Sequence, residues 1–222
     1  MKRVKMAIMM MLLASLAGCT WYSAKGVVPQ NVKDDILAVK MEKEDIRVTT
    51  LSITRKADAK KYFDKNIVEE DMLAFWVNID NEGEYPVRFA SADLKVGKEI
   101  VVPMNTYEVY KTVKKGAVGK AFFWSFPGFL LAGVALVGTV PSVIHTSSVN
   151  SDIEKDIREK ALLPVEIKPR EQRRGFVWFK IPEEKIIPEG NKIPKGMILS
   201  IEVIKKGRSL EFDLPITLQK ER

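Results

Sequence analysis

The sequence predicts a mainly β chain: a sandwich of about seven short strands, with an apolar helical hairpin inserted between two of them. Three observations predict it. Apolar and polar residues alternate over 73–80 and again over 210–218. β-Branched and aromatic residues crowd short runs that Gly, Pro and Asn punctuate at close spacing. One stretch, Phe122–Ile144, breaks this pattern with 23 residues and no charge.

The chain opens differently from a strand. Lys2, Arg3 and Lys5 form a positive start, Met6–Leu16 is apolar apart from Ser15, and Leu16-Ala17-Gly18 puts small residues before Cys19. Charged, apolar, small is the order of a secretory signal, and eleven apolar residues fall short of the roughly 20 that a bilayer span needs. Leu16-Ala17-Gly18-Cys19 resembles the bacterial lipobox at every position. That resemblance implies cleavage between Gly18 and Cys19, with diacylglycerol on the Cys19 thiol and an acyl chain, such as palmitate, on the new amino group. Cys19 is the only cysteine of the chain, so an internal disulfide is excluded and a free thiol would be exposed to an oxidising compartment. By the same resemblance, Thr20 in place of an aspartate favours the outer membrane over the inner one, with the body in the periplasm. Residues 1–18 are thus expected to be a signal peptide, 19–34 a tether, and 35–222 one sandwich domain with its insertion at 116–163. Trp21 and Tyr22 beside the anchor suit either a membrane interface or a loop.

Removing 18 of 222 residues leaves 204, enough for one domain of good size. The full chain carries 36 basic and 29 acidic residues; without the three in the signal, 33 face 29, a net charge of +4. So small an excess is no nucleic-acid signature, whereas weak attraction to anionic lipid remains.

The strands follow in order. Ile46–Thr54 is rich in β-branched residues. Asp58–Lys65 reads as a short helix capped by Asp58, with Tyr62 and Phe63 turned inward. Leu73, Phe75, Val77 and Ile79 share one face of a half-buried strand, with Trp76, Asn78 and Asp80 on the other; Asn81-Glu82-Gly83 makes the turn. Val87–Val96 returns with Val87 and Phe89 in phase, and Glu99–Val102 is a short third strand ended by Pro103. Gly175–Ile181 is apolar on both faces and reads as a central strand. Gly196–Ile204 and Ser209–Leu218 form a hairpin across Lys205-Lys206-Gly207-Arg208, with Leu210, Phe212, Leu214, Ile216 and Leu218 on one face. About seven such strands fit an immunoglobulin-like β-sandwich, although the Cys…Trp…Cys framework of true immunoglobulin domains is absent.

Phe122–Ile144 meets the length and polarity of a membrane span. As a single span of the inner membrane it would leave Lys111, Lys114, Lys115 and Lys120 on the periplasmic side, against the positive-inside bias, and would separate strands that must pair. As half of a helical hairpin it would start near Pro127 and end at Gly138 and Pro141. Its partner would begin at Ser151-Asp152-Ile153-Glu154, which fits a capping box, with Ile153, Ile157 and Ala161 on one face. A third reading packs it as a core helix on its own sandwich. The hairpin reading leaves apolar surface over, and Phe122, Phe123, Trp124, Phe126, Phe129, Leu130 and Leu131 are then the candidate contacts with a membrane or partner.

Chemistry is harder to find. A single histidine, His145, builds neither a triad nor a multi-histidine metal site. Glu42/Glu44/Asp45, Glu69-Glu70-Asp71 and Glu183-Glu184 are carboxylate clusters of the kind that solvated turns carry. No catalytic, nucleotide-binding or metal motif occurs, so no cofactor, metal, catalytic residue or nucleic-acid partner is expected. Lys168, Arg170, Arg173 and Arg174 are a candidate phosphate contact, for lipopolysaccharide or phospholipid heads.

Lys61-Tyr62-Phe63-Asp64, Phe75-Trp76-Val77-Asn78-Ile79-Asp80-Asn81, Tyr85-Pro86-Val87 and Arg174-Gly175-Phe176-Val177-Trp178-Phe179 together resemble a loosely defined group of bacterial envelope lipoproteins with an immunoglobulin-like domain and no assigned activity. The likeness covers residues 45–215 and implies a fold without chemistry. The expectation is a lipid-anchored envelope protein with a structural or interaction role toward a membrane, an envelope protein or a lipid. The alternative is a periplasmic carrier or transport accessory for lipid or a small apolar ligand.

Overall fold

The computed structural model describes residues 38–114, 149–181 and 196–216. The chain divides into two compact units, 1–23 with 114–155, and 24–113 with 156–222. The signal, Cys19, the tether to residue 34 and the apolar segment 122–144 lie outside the described residues. No helix among the described residues is long and apolar enough to cross a membrane.

The second unit is mainly β, two antiparallel sheets that enclose one core, as in a β-sandwich. The first sheet has the order β1-β2-β3-β7, from Val39–Lys43, Ile46–Ile53, Met72–Asn81 and Gln172–Lys180. The second has the order β5-β4-β8-β9, from Glu99–Val101, Val87–Val96, Met197–Lys205 and Arg208–Pro215; β6, Val165–Ile167, also pairs with β4. Leu73, Phe75, Val77 and Ile79 of β3 meet Leu199, Ile201, Val203, Phe212 and Leu214 in that core, as the alternation requires. Leu210 packs at its margin, β9 ends at Pro215, and Leu218 lies outside the described residues.

Among the described residues there are nine strands, where about seven were expected. β1 and β6 escape the sequence reading because one is five residues with three of them charged and the other only three residues. On β4, Val87 and Phe89 face inward, but a bulge between Phe89 and Ser91 resets the phase to Ala92, Leu94 and Val96.

Three further expectations are corrected. β7 is an edge strand, not a central one; its second apolar face is buried because helices cover it. Trp76, expected to face outward, is 5% exposed for the same reason. α1, Lys56–Phe63, lays Phe63 against Phe176 and Trp178 with ring centroids 5.1 and 6.1 Å apart, and Tyr62 against Phe176 at 5.7 Å. Asp58 is not the cap of α1. Arg55 occupies that position, and Asp58 sits in the first turn, 2.7 Å from the Arg55 guanidinium. α2, Thr106–Val113, buries Val109 and Val113, and was not foreseen. Its start is a reciprocal capping box. The Glu108 amide donates to the Asn105 side chain at 3.0 Å, and the Asn105 amide donates to the Glu108 carboxylate at 2.9 Å.

A third helix, α3, covers 149–160 among the described residues. Ser151 is not its cap, since residues 149 and 150 are already helical. Ile153 and Ile157 are both buried, as their spacing predicts, and the helix stops before Pro164. Near its end Lys160, 8% exposed, donates to the Tyr62 carbonyl at 2.7 Å and to Asp156 at 2.6 Å. The buried ammonium thus bridges α3 to the end of α1 with its charge compensated.

Candidate interaction surface

Asn81 organises one end of the sandwich. It is fully buried, and its side-chain N–H groups donate to the carbonyls of Tyr85, Ile167 and Lys168 at 2.9, 3.2 and 3.1 Å. Its side-chain oxygen accepts from the Gly83 amide at 3.2 Å, and its backbone carbonyl accepts from the Arg170 amide at 2.8 Å. One amide therefore ties the β3–β4 turn to the β6–β7 turn. The β1–β2 and β8–β9 turns close the same end, by the antiparallel pairing of their strands.

A cleft of about 480 Å³ opens there, lined by Asp45, Glu82, Gly83, Glu84, Tyr85, Arg170, Lys205 and Lys206. Its walls carry both signs of charge, and most of them are paired. Lys205 lies 3.8 Å from the carboxylates of Glu44 and Asp45 and donates to the Glu44 carbonyl. Arg47 pairs with Glu82 at 2.6 Å and with Glu42 at 3.3 Å. Lys206 sits over the Tyr85 ring, 3.4 Å from its centroid.

The four cations expected to bind phosphate do not converge. Arg170, in a left-handed turn at φ 62°, lines the cleft. Arg173 and Arg174 are consecutive on β7 and so project to opposite faces of the sheet. Arg173 is paired with Glu171 at 2.8 Å, and the Lys168 amide donates to that same Glu171 carboxylate at 3.1 Å. The carboxylate clusters are likewise dispersed into ion pairs. Glu69 meets Lys56 at 3.1 Å and Glu70 meets Lys65 at 2.9 Å. Hydrogen bonds from Lys56 and Asn66 hold Glu69 below the ordinary carboxylate range, the direction opposite to that of a general acid. Glu183 and Glu184 lie outside the described residues. Among the described residues no group of three or more His, Cys, Asp or Glu side chains is placed to hold a metal ion.

The outer face of the second sheet is polar, and a network crosses it. Lys95 of β4 reaches Glu211 at 2.8 Å and Asp213 at 2.9 Å on β9, and the Ser200 hydroxyl donates to Glu211 at 2.6 Å. The bonds from Lys95, seconded by Ser200, hold both carboxyls below their usual range; the bonds to Glu211 and Asp213 raise Lys95. The stabilisation that lowered carboxyls contribute is present above the unfolded value, about 4, and is lost as pH falls through the folded values. That from raised Lys95 is present below about 10.4 and is lost as pH rises through its folded value. Lys95→Met is therefore expected to move the titrations of Glu211 and Asp213 upward and to make the acid limb of the stability profile shallower. Carboxyl NMR titrations and urea melts from pH 2 to 7 check this; unmoved titrations would contradict it. The effect is small, because solvent screens exposed pairs.

No protein-family model matches this chain, and no curated protein sequence matches it.

Proposed function

We propose that this chain is a lipid-anchored protein of the bacterial envelope. Cys19 would hold it on the outer membrane, facing the periplasm, and its sandwich would serve a non-enzymatic structural or interaction role. The observation that carries the reading is Leu16-Ala17-Gly18-Cys19 behind a charged and then apolar start, with the chain's only thiol at the modifiable position. Each buried CH2 of an acyl chain contributes about 0.8 kcal/mol, so two or three chains anchor firmly.

We read the sandwich as immunoglobulin-like. Naming β2, β3, β4, β5, β7, β8 and β9 as A, B, C, C′, E, F and G gives A-B-E facing C′-C-F-G, an order that supports the assignment. β1 and β6 are additions to that frame. Among the described residues, Glu69, Glu70 and Arg173 each sit in a separate ion pair, which supports the non-enzymatic reading.

Replacing Cys19 by Ser tests the anchor. Palmitate incorporation is expected to vanish and the protein to leave the membrane fraction. A variant that stays in the pellet after a carbonate wash would mean that another part of the chain is the anchor.

A further inference from the structure

Large apolar side chains stand exposed at one corner of the second unit. Ile100 of β5 is 64% exposed, Val102 just beyond it 70%, and Tyr107 in the first turn of α2 58%. Ordinary monomer surfaces scatter such residues singly; here three fall within eight positions of one strand–helix corner. The solvent face of α2 continues the pattern. Tyr107 and Lys111 lie one helical turn apart, away from buried Val109 and Val113, and the Lys111 ammonium lies 4.6 Å from the centre of the Tyr107 ring. Lys98 is exposed in the turn before β5. Glu108 also lies here, but its carboxylate is engaged by the Asn105 amide at the helix start; the other acidic neighbour, Glu99, opens β5.

Strand pairing fixes where the corner lies along the sandwich. β1 begins at Val39, level with Thr50 of β2, Val77 of β3 and Gly175 of β7, and runs from there toward the Asn81 end. Met104, between β5 and α2, donates its amide to the carbonyl of Trp178, two residues from the end of β7. The corner therefore lies at the end of the sandwich opposite Asn81. Residues 19–38 reach no farther than about 70 Å even at full extension. A tyrosine with lysines whose stems can lie along apolar surface, their ammonium groups outward, suits a bilayer interface with negative head groups.

We propose that the β5–α2 corner rests on an anionic lipid bilayer. Ile100, Val102 and Tyr107 enter the interface, and Lys98 and Lys111 face the phosphates. The inference rests on the reading that Cys19 carries lipid, since the anchor brings the corner to the surface. It gives the sandwich an orientation, with the corner toward the membrane and the Asn81 cleft toward the periplasm.

The test uses the full chain purified from membranes and reconstituted into vesicles of phosphatidylethanolamine and phosphatidylglycerol at about 3:1. A thiol-reactive environment-sensitive dye is placed at Val102→Cys and, separately, at Glu84→Cys in the opposite cleft. A lipid-blocked Cys19 takes up no dye, so labelling of the wild-type chain exposes failure of the anchor reading by itself. With Cys19 blocked, dye at position 102 is expected to shift to the blue and to be quenched at least threefold more by brominated lipid than dye at 84. Phosphatidylcholine vesicles, or Lys98→Gln/Lys111→Gln, should at least halve that quenching, and so should Ile100→Ser/Tyr107→Ser. Equal quenching at the two positions, water-like emission at 102, or indifference to lipid charge and to both sets of substitutions would overturn the proposal while leaving the anchor intact.

Discussion

Asn81→Ala is expected to destabilise the sandwich by about 2–4 kcal/mol, because each buried polar group left without a partner costs about 1–3 kcal/mol. The Asn81 side chain makes four hydrogen bonds from a fully buried position. Its loss strips a partner from the carbonyls of Tyr85, Ile167 and Lys168 and from the amide of Gly83. The truncation also leaves a cavity between the β3–β4 and β6–β7 turns. Neighbouring backbone bonds, Arg170 to the Asn81 carbonyl and the Asn81 amide to Glu171 at 3.0 Å, remain possible and limit the damage. In a domain of this size the change corresponds to a fall in midpoint of about 8 °C. Urea titration with an unchanged slope would measure it. A loss below about 0.5 kcal/mol would mean that water replaces the amide and that Asn81 does not hold this end together.

Gly175→Val is the second large effect. A Cβ at Gly175 would lie 2.6 Å from the Leu162 nitrogen, 2.8 Å from the Lys160 carbonyl oxygen and 2.9 Å from the Ala161 carbonyl carbon. All three are backbone atoms, so no side chain can swing aside. The close approach exists because the exit of α3 runs along β7. Ala161 bridges to Phe176 in parallel, and the Leu162 amide donates to the Phe176 carbonyl at 2.9 Å. Overpacking of this kind costs about 1–3 kcal/mol, and valine adds two methyl groups to the clash. The expected result is a loss near 3 kcal/mol for valine and at least 1 kcal/mol for alanine. Hydrogen exchange at the Leu162 amide should also accelerate, as the segment lifts off the strand. Unchanged exchange there would show that the backbone yields elsewhere and that the glycine is not required.

These two residues mark where sequence reading stops. The alternation in β3 and the spacing in β9 were legible because a strand's faces are written along the chain. β7 carries the same kind of signal, but apolar residues on both faces record burial without saying what buries them. A middle strand and a helix-covered edge strand look alike at that level. Capping boxes illustrate the same limit. Ser151-x-x-Glu154 fits the pattern inside a running helix, whereas Asn105-x-x-Glu108, with asparagine in the first place, starts one. The turn at Asn81 was foreseen, but its role as a fastener depends on carbonyls more than 80 residues away, which no local pattern encodes. Lys160 is similar, since a buried lysine is sensible only once the Tyr62 carbonyl and Asp156 are seen beside it. Of the four candidate phosphate contacts, Arg173 and Arg174 are consecutive on a strand and so point apart.

The corner proposed to face the membrane was half legible. Lys111 was visible in a basic run before the apolar segment. Ile100 and Val102 read as an ordinary short strand, and only their exposure in the folded chain separates them from core residues. On the proposed orientation the two ends of the sandwich have different tasks: the β5–α2 end would meet lipid, and the Asn81 end would present its mixed-charge cleft to the periplasm.

Everything in that arrangement depends on lipid at Cys19, and intact-mass analysis of the N-terminal peptide from the membrane fraction tests it most directly. The account predicts a mature chain that begins at Cys19 and carries a diacylglyceryl thioether and an amide-linked acyl chain. A chain that begins elsewhere, or a Cys19 that retains a free thiol, would contradict it.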